Sequence, residues 1–128
     1  MTPRTHKQHR RITHTAGKRA EWMALIYLML KGYFPVAQRY KCSAGEIDLI
    51  VARRNLVVFT EVKYRADRET AAYSISTKQQ SRIFRAAQYW VQKNQRDSHK
   101  DMRFDVVLLS PWRWPQHIEH AFVDNGAQ

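Results

Sequence analysis

The stretch from Glu46 to Tyr64 constrains this chain more than any other. Two β-rich runs, Glu46 to Arg53 and Leu56 to Tyr64, flank Arg54-Asn55, so a hairpin is expected. A two-residue loop pairs Arg53 with Leu56, and paired residue numbers then sum to 109. A four-residue loop keeps that sum, and a three-residue loop breaks it. With the sum kept, Asp48 falls opposite Glu61 and Glu46 opposite Lys63. The two-residue period of a strand holds Glu46 with Asp48, and Glu61 with Lys63, on one face.

That arrangement carries an electrostatic problem. Directly opposed residues have Cβ atoms roughly 4.5–5.5 Å apart, and like charges there destabilise a sheet. The surroundings are Ile47, Leu49, Ile50, Val57, Val58 and Phe59, where desolvation worsens an uncompensated pair. Lys63 supplies one positive charge against three carboxylates, and a divalent cation would supply the rest. Hard oxygen ligands of this kind suit Mg²⁺ or Mn²⁺. The chemistry expected of such a site is phosphodiester hydrolysis. Asp48 and Glu61 hold the ion, and Lys63 orients water or offsets charge developing on the phosphate. The competing reading is an ordinary surface charge cluster.

The charge balance agrees with an anionic substrate. Twenty-two Lys and Arg against 11 Asp and Glu give +11 in a chain of 128 residues. DNA is the expected partner, with an anionic membrane surface as the competitor. One cysteine, Cys42, excludes an internal disulfide framework and a cysteine-rich zinc site, and the cytoplasm is the expected compartment. The apolar run from Trp22 to Leu30 follows a basic N-terminus, the outline of a signal peptide. Glu21 at its mouth, no small-residue cleavage site after it, and only nine residues of length argue against targeting or a membrane span.

One domain is expected over residues 16–128, preceded by a basic, disordered arm over 1–15. A first helix spans about Ala16 to Lys31, with Gly17, Glu21, Ala24 and Leu28 on one face and Gly32 ending it. Tyr33 to Lys41 reads as a strand that Pro35 confines to an edge. Ser76 or Thr77 caps a second helix reaching Asn94, with Ile83, Ala86, Ala87, Trp90 and Val91 as its apolar stripe. Strands follow at Met102 to Ser110 and at His117 to Val123. The fold class is α/β: one central mixed sheet flanked by helices.

At these residues the chain resembles the YraN-like bacterial family of the PD-(D/E)XK nuclease superfamily, which looks related to Holliday-junction resolvases. The matching stretches are Gly45-Glu-Ile-Asp-Leu-Ile50, Phe59-Thr-Glu-Val-Lys-Tyr-Arg65 and Arg103-Phe-Asp-Val-Val107. The resemblance covers about residues 16–123 and implies a restriction-endonuclease-like αβββαβ core. It also implies Asp48, Glu61 and Lys63 as the catalytic triad, Glu21 as the acidic residue of the first helix, and branched or recombining DNA as substrate. Ala20 stands where the family has glycine, and Tyr73-Ser74 where its loop has an aromatic–glycine pair.

Accessory roles follow by position. Glu46, Gln79 and Gln80 are candidates to face the site. Arg4, Lys7, Arg10, Arg11, Lys18, Arg19, Arg65, Lys78, Arg82 and Arg85 are candidate phosphate contacts, the first six from the N-terminal basic segment. Asp105 reads as an ion-pair partner. Trp112-Arg113-Trp114 can stack on bases or pack as a lid. The histidines, His117 and His120 among them, show no metal-ligand spacing. A two-fold dimer would suit a paired cut on two strands. The alternative function is a non-catalytic nucleic-acid-binding protein that retains the nuclease fold.

Overall fold

The computed structural model describes the backbone of residues 6–65 and 75–123, and side chains from Gly17 onward within those ranges. The basic side chains of Arg4, Lys7, Arg10 and Arg11, and the Tyr73-Ser74 pair, lie outside the described residues. The elements run α1 (His6–Leu30), β1 (Phe34–Cys42), β2 (Gly45–Arg53), β3 (Leu56–Tyr64), α2 (Thr77–Lys93), β4 (Asp101–Leu109) and β5 (Gln116–Ile118), with a 3₁₀ turn over Gln95–Asp97. The αβββαβ core order is therefore present, with β5 added at the end. The first helix begins ahead of the boundary expected near residue 15, and no proline or glycine interrupts residues 6–16.

The five strands lie in the order β1-β2-β3-β4-β5. Only β3 and β4 run parallel, joined by the α2 crossover, and the other neighbours are antiparallel. The hairpin register is the expected one: Arg53 pairs with Leu56, and Leu49 with Thr60. Arg54 takes φ 56°, the left-handed backbone that a two-residue hairpin turn demands. β1 is an edge strand, and a bulge interrupts it between Pro35 and Ala37, where proline has no N–H to give the ladder.

Each face of the sheet carries one helix. Ala20, Ala24, Leu25 and Leu28 of α1 pack with Tyr33 on Leu49, Val51, Val58, Val107 and Leu109. Ile83, Phe84, Ala86, Ala87 and Trp90 of α2 pack on Ile47, Ile50, Val57, Phe59 and Val106. α1 ends as its sequence dictates. Gly32 takes φ 94°, its N–H reaches the Met29 carbonyl, and the Tyr33 N–H reaches that of Leu28. Ser76 caps α2 by accepting from the Gln79 N–H.

β5 is shorter than the expected strand over His117 to Val123. His120 takes φ 51°, and its N–H turns to the Asp105 carboxylate. The chain then leaves the ladder so that Phe122 can enter the aromatic core with Phe84 and Phe104. Asp105 is fully buried and is an ion-pair partner, as its position implied. Arg103 reaches both its oxygens, at 2.8 and 2.7 Å, and His117 Nε2 lies 2.6 Å from Oδ2. Burial alone would raise the Asp105 pKa, but bonds from His117 and Arg103 outweigh it and hold the carboxyl below its usual range. The second nitrogen of His117 lies 2.6 Å from Lys31 Nζ, so this residue ties β5 to both β4 and the turn that ends α1.

Candidate functional site

β2 breaks its side-chain alternation at Asp48. Ile47 belongs to the α2-side core and Leu49 to the α1-side core, although two residues on one strand should share a face. The β2–β3 pairing ends at Leu49–Thr60. Beyond it the Val62 N–H donates to Asp48 Oδ2 at 2.8 Å, where a regular ladder would offer a backbone carbonyl of β2. The Asp48 carboxylate thus stands in for a missing ladder bond and opens the hairpin at that point.

Glu61 comes from the adjoining strand and is 9% exposed. Its Oε1 accepts from Gln79 Nε2 at 3.0 Å and lies 3.5 Å from Lys63 Nζ. Asp48, Glu61, Glu46, Gln79, Arg82 and Ile83 line one cavity of about 90 Å³. A second, of about 220 Å³, is lined by Glu21, Arg39, Lys41, Glu46, Ile47 and Asp48. Asp48 and Glu46 belong to both, so the acidic side chains form one continuous site at the open end of the hairpin.

The electrostatics follow from this crowding. Burial is the largest cause raising Asp48. Glu21 and Glu46 add to it, Val62 and Lys63 oppose it, and the pKa is pushed up to about 6. Burial again leads for Glu61, with Asp48 next and Lys63 in opposition, and the pKa rises to about 7. The two carboxylates therefore share protonation near neutral pH, where a lone pair of surface acids would both be ionised.

The expected residues are distributed as follows. Asp48, Glu61, Lys63 and Gln79 come together. Glu21 stands beside them, its Oε2 held 2.6 Å from Arg39 Nε. Glu46 faces Lys41 across β1, not Lys63 across β3, because the β2–β3 ladder has ended before it. Gln80 turns back to the Ile75 carbonyl and lines neither cavity. Arg82 lines the site, and Arg65, Lys78 and Arg85 are exposed and line neither cavity. Lys18 and Arg19 are exposed on α1. Sequence reasoning missed Arg39, Lys41 and the Val62 amide. The first two share a face by the period of a strand, a signal that β1 carried.

Among the described residues, no three His, Cys, Asp or Glu side chains converge closely enough to hold a metal ion. A cation at this site would rest on Asp48 and Glu61, with backbone carbonyl groups and water completing its shell. The donor set would suit a hard cation: both side chains are carboxylates, Glu61 buried and Asp48 half-buried, and the Asp48 charge raises the Glu61 pKa.

The model of an uncharacterised protein family, UPF0102, matches residues 20–109, which span every member of this cluster. The chain belongs to the UPF0102 family. A UPF0102 protein of Methylobacterium radiotolerans is 44% identical over 117 residues, covering 91% of each chain. One from Rhodopseudomonas palustris strain HaA2 is 46% identical over 106 residues, covering 83% of each. One from Maricaulis maris is 44% identical over 114 residues, covering 89% of this chain and 90% of its own. The UPF0102 chain thus shares nearly its whole length with these relatives. No helix among its described residues is long and apolar enough to cross a membrane.

Proposed function

We propose that this protein is a divalent-cation-dependent DNA endonuclease, a hydrolase of phosphodiester bonds acting on branched or recombining DNA. The observation that carries the reading is the pairing of half-buried Asp48 with buried Glu61 beside Lys63, in a chain of net charge +11. Glu21 is matched by Arg39 and Glu61 by Lys63, but Asp48 takes its bond from the Val62 N–H and raises the Glu61 pKa, so acid stands against acid at that pair. A protein that only grips phosphate gains nothing from three acids on its binding face.

The residues divide the work. Asp48 and Glu61 would hold Mg²⁺ or Mn²⁺. When bound, such an ion polarises a phosphate oxygen and lowers the pKa of water. Lys63, 3.5 Å from Glu61, would orient the attacking water or offset charge on the phosphate. Gln79 fixes the Glu61 carboxylate, and Arg39 restrains Glu21 at the border of the site. Arg82 and the exposed Lys78 and Arg85 give the phosphate backbone cations on the α2 side.

The test is a cleavage panel of single-stranded, duplex, flap and four-way DNA with each metal. Asp48→Asn, Glu61→Gln and Lys63→Ala are each expected to lower the cleavage rate by about a hundredfold or more. Their circular dichroism should match wild type. Wild-type turnover in any variant removes that residue from its role. The lack of a three-ligand cluster among the described residues favours a second reading, a non-catalytic nucleic-acid-binding protein on the same fold. Affinity without turnover in either ion would select it.

A further inference from the structure

On the other face of the sheet from Glu61 lies a groove of about 770 Å³ between α1 and the turn after β4. Arg19, Tyr27, Tyr64, Trp112, Arg113 and Trp114 supply its aromatic and charged lining. Met23, Ile26 and Leu30 form an apolar floor, and no acidic side chain lines it among the described residues.

Trp112 is the unusual member. It is 102% exposed, and its φ of 61° puts a bulky residue in the left-handed region. That backbone is costly for a bulky side chain, and a fully solvated indole returns nothing in packing. Trp114, two residues on, is 82% exposed. Arginine between and beside exposed aromatic rings is the surface on which unpaired bases stack, with the cations meeting the phosphates.

β3 and α1 connect the groove to the carboxylates on the opposite face. Tyr64, which lines it, directly follows Lys63 on β3, and successive strand residues point to opposite faces. A strand leaving the groove would round the sheet's end at Lys63 and meet Glu61. α1 makes the same bridge, with Arg19 in the groove and Glu21 at the acidic site.

We infer that this groove binds an unpaired stretch of DNA, stacking its bases on Trp112 and its neighbours while Arg19 and Arg113 hold the backbone. The substrate class is then DNA with a single-stranded segment next to the bond that is cut. The cutting rests on the nuclease reading, but the binding does not. Charge decides between occupants: both lining cations are arginines in a chain of +11, and a second copy of so basic a chain would bring like charge to them.

The experiment measures binding of the full chain to a labelled oligothymidylate and to a duplex of equal length, in EDTA so that nothing is cut. Trp112→Ala should weaken oligothymidylate binding about tenfold or more, with duplex affinity within about twofold of wild type. Trp112→Phe should restore most of the loss. Equal loss on both DNAs, or no loss on either, overturns the stacking proposal. So does a wild-type dimer in sedimentation that Trp112→Ala dissociates, because the groove would then be a self-association surface. Cleavage by wild type and Asp48→Asn, measured separately in Mn²⁺, tests the nuclease reading alone. Its failure leaves the binding result standing.

Discussion

Asp48 closes a gap in the backbone ladder and supplies half of an acid pair, and these two demands have opposite pH responses. Its bond from Val62 favours the carboxylate, while burial and the surrounding acids favour the neutral acid and prevail. For Asp48 and Glu61 the folded pKa values, about 6 and about 7, lie above the ordinary carboxylate range. The folded state then binds more protons than the unfolded state between roughly pH 4 and 7. Stability falls as pH rises through that window, and the loss is complete above it. For the pair this amounts to a few kcal/mol, at about 1.4 kcal/mol per pK unit. Asp105 works in the other direction: its depressed pKa stabilises the fold above the ordinary carboxylate range, and that contribution is lost as the carboxyl protonates. Urea unfolding in EDTA at pH 5, 6, 7 and 8 should show wild type weakening along the series. Asp48→Asn, with its oxygen still open to the Val62 N–H, should lose less and be the more stable protein at pH 8. Parallel curves for the two proteins would mean that the acids do not oppose each other in the fold.

At the scale of elements, the site depends on how closely α2 approaches the start of β2. A Cβ built on Gly45 would lie 2.9 Å from the Arg82 carbonyl oxygen and 3.2 Å from the Arg82 Cβ. Backbone is the obstacle, so the helix itself would have to shift. Gln79 sits one turn earlier on that helix, and its bond to Glu61 would shift with it. Gly45→Ala should therefore destabilise the fold by about 1–3 kcal/mol and lower cleavage more than single-strand binding. Thermal melts and the two DNA assays would measure both effects. The hairpin was legible because a two-residue loop fixes register by arithmetic, and its ladder keeps the sum of 109 as far as Leu49–Thr60. The second helix was legible from its apolar stripe, with Ser76 marking its start. The first was legible in part: spacing puts Ala24 and Leu28 on its packed face and Gly32 at its end, but misses Ala20, Leu25 and the start at His6. What escaped was non-local. The place of Asp48 in the ladder depends on an amide 14 residues away. His117 looked idle because its partners, Asp105 and Lys31, lie 12 and 86 residues from it. The partnership of Arg39 with Glu21 required knowing that a bulged edge strand passes α1.

Across the whole molecule, a net charge of +11 attracts DNA at long range, and a small acidic site works within that field. The two contributions can be separated. Deleting residues 1–14 removes Arg4, Lys7, Arg10 and Arg11. If all four meet phosphates of a duplex, the slope of log K against log salt should fall in magnitude by up to roughly 3.6, with no preference among DNA structures. An unchanged slope would take the segment off the backbone. The acidic site can be tested without any DNA. A divalent ion bound by Asp48 and Glu61 would relieve their repulsion and would bind the folded chain alone. Linkage then requires stability to grow with ion concentration, by about 2.7 kcal/mol at a hundredfold excess over the dissociation constant. The ion also reverses the pH trend: its ligands are the ionised carboxylates, so stabilisation should be larger at pH 8 than at pH 5. Melting temperatures across a Mn²⁺ series at constant ionic strength would show this for wild type. Asp48→Asn, already relieved of one charge, should start higher in EDTA at pH 8 and respond little. If the two proteins rise together at both pH values, the ion is bound elsewhere, and the acidic cluster is part of the fold without being a metal centre.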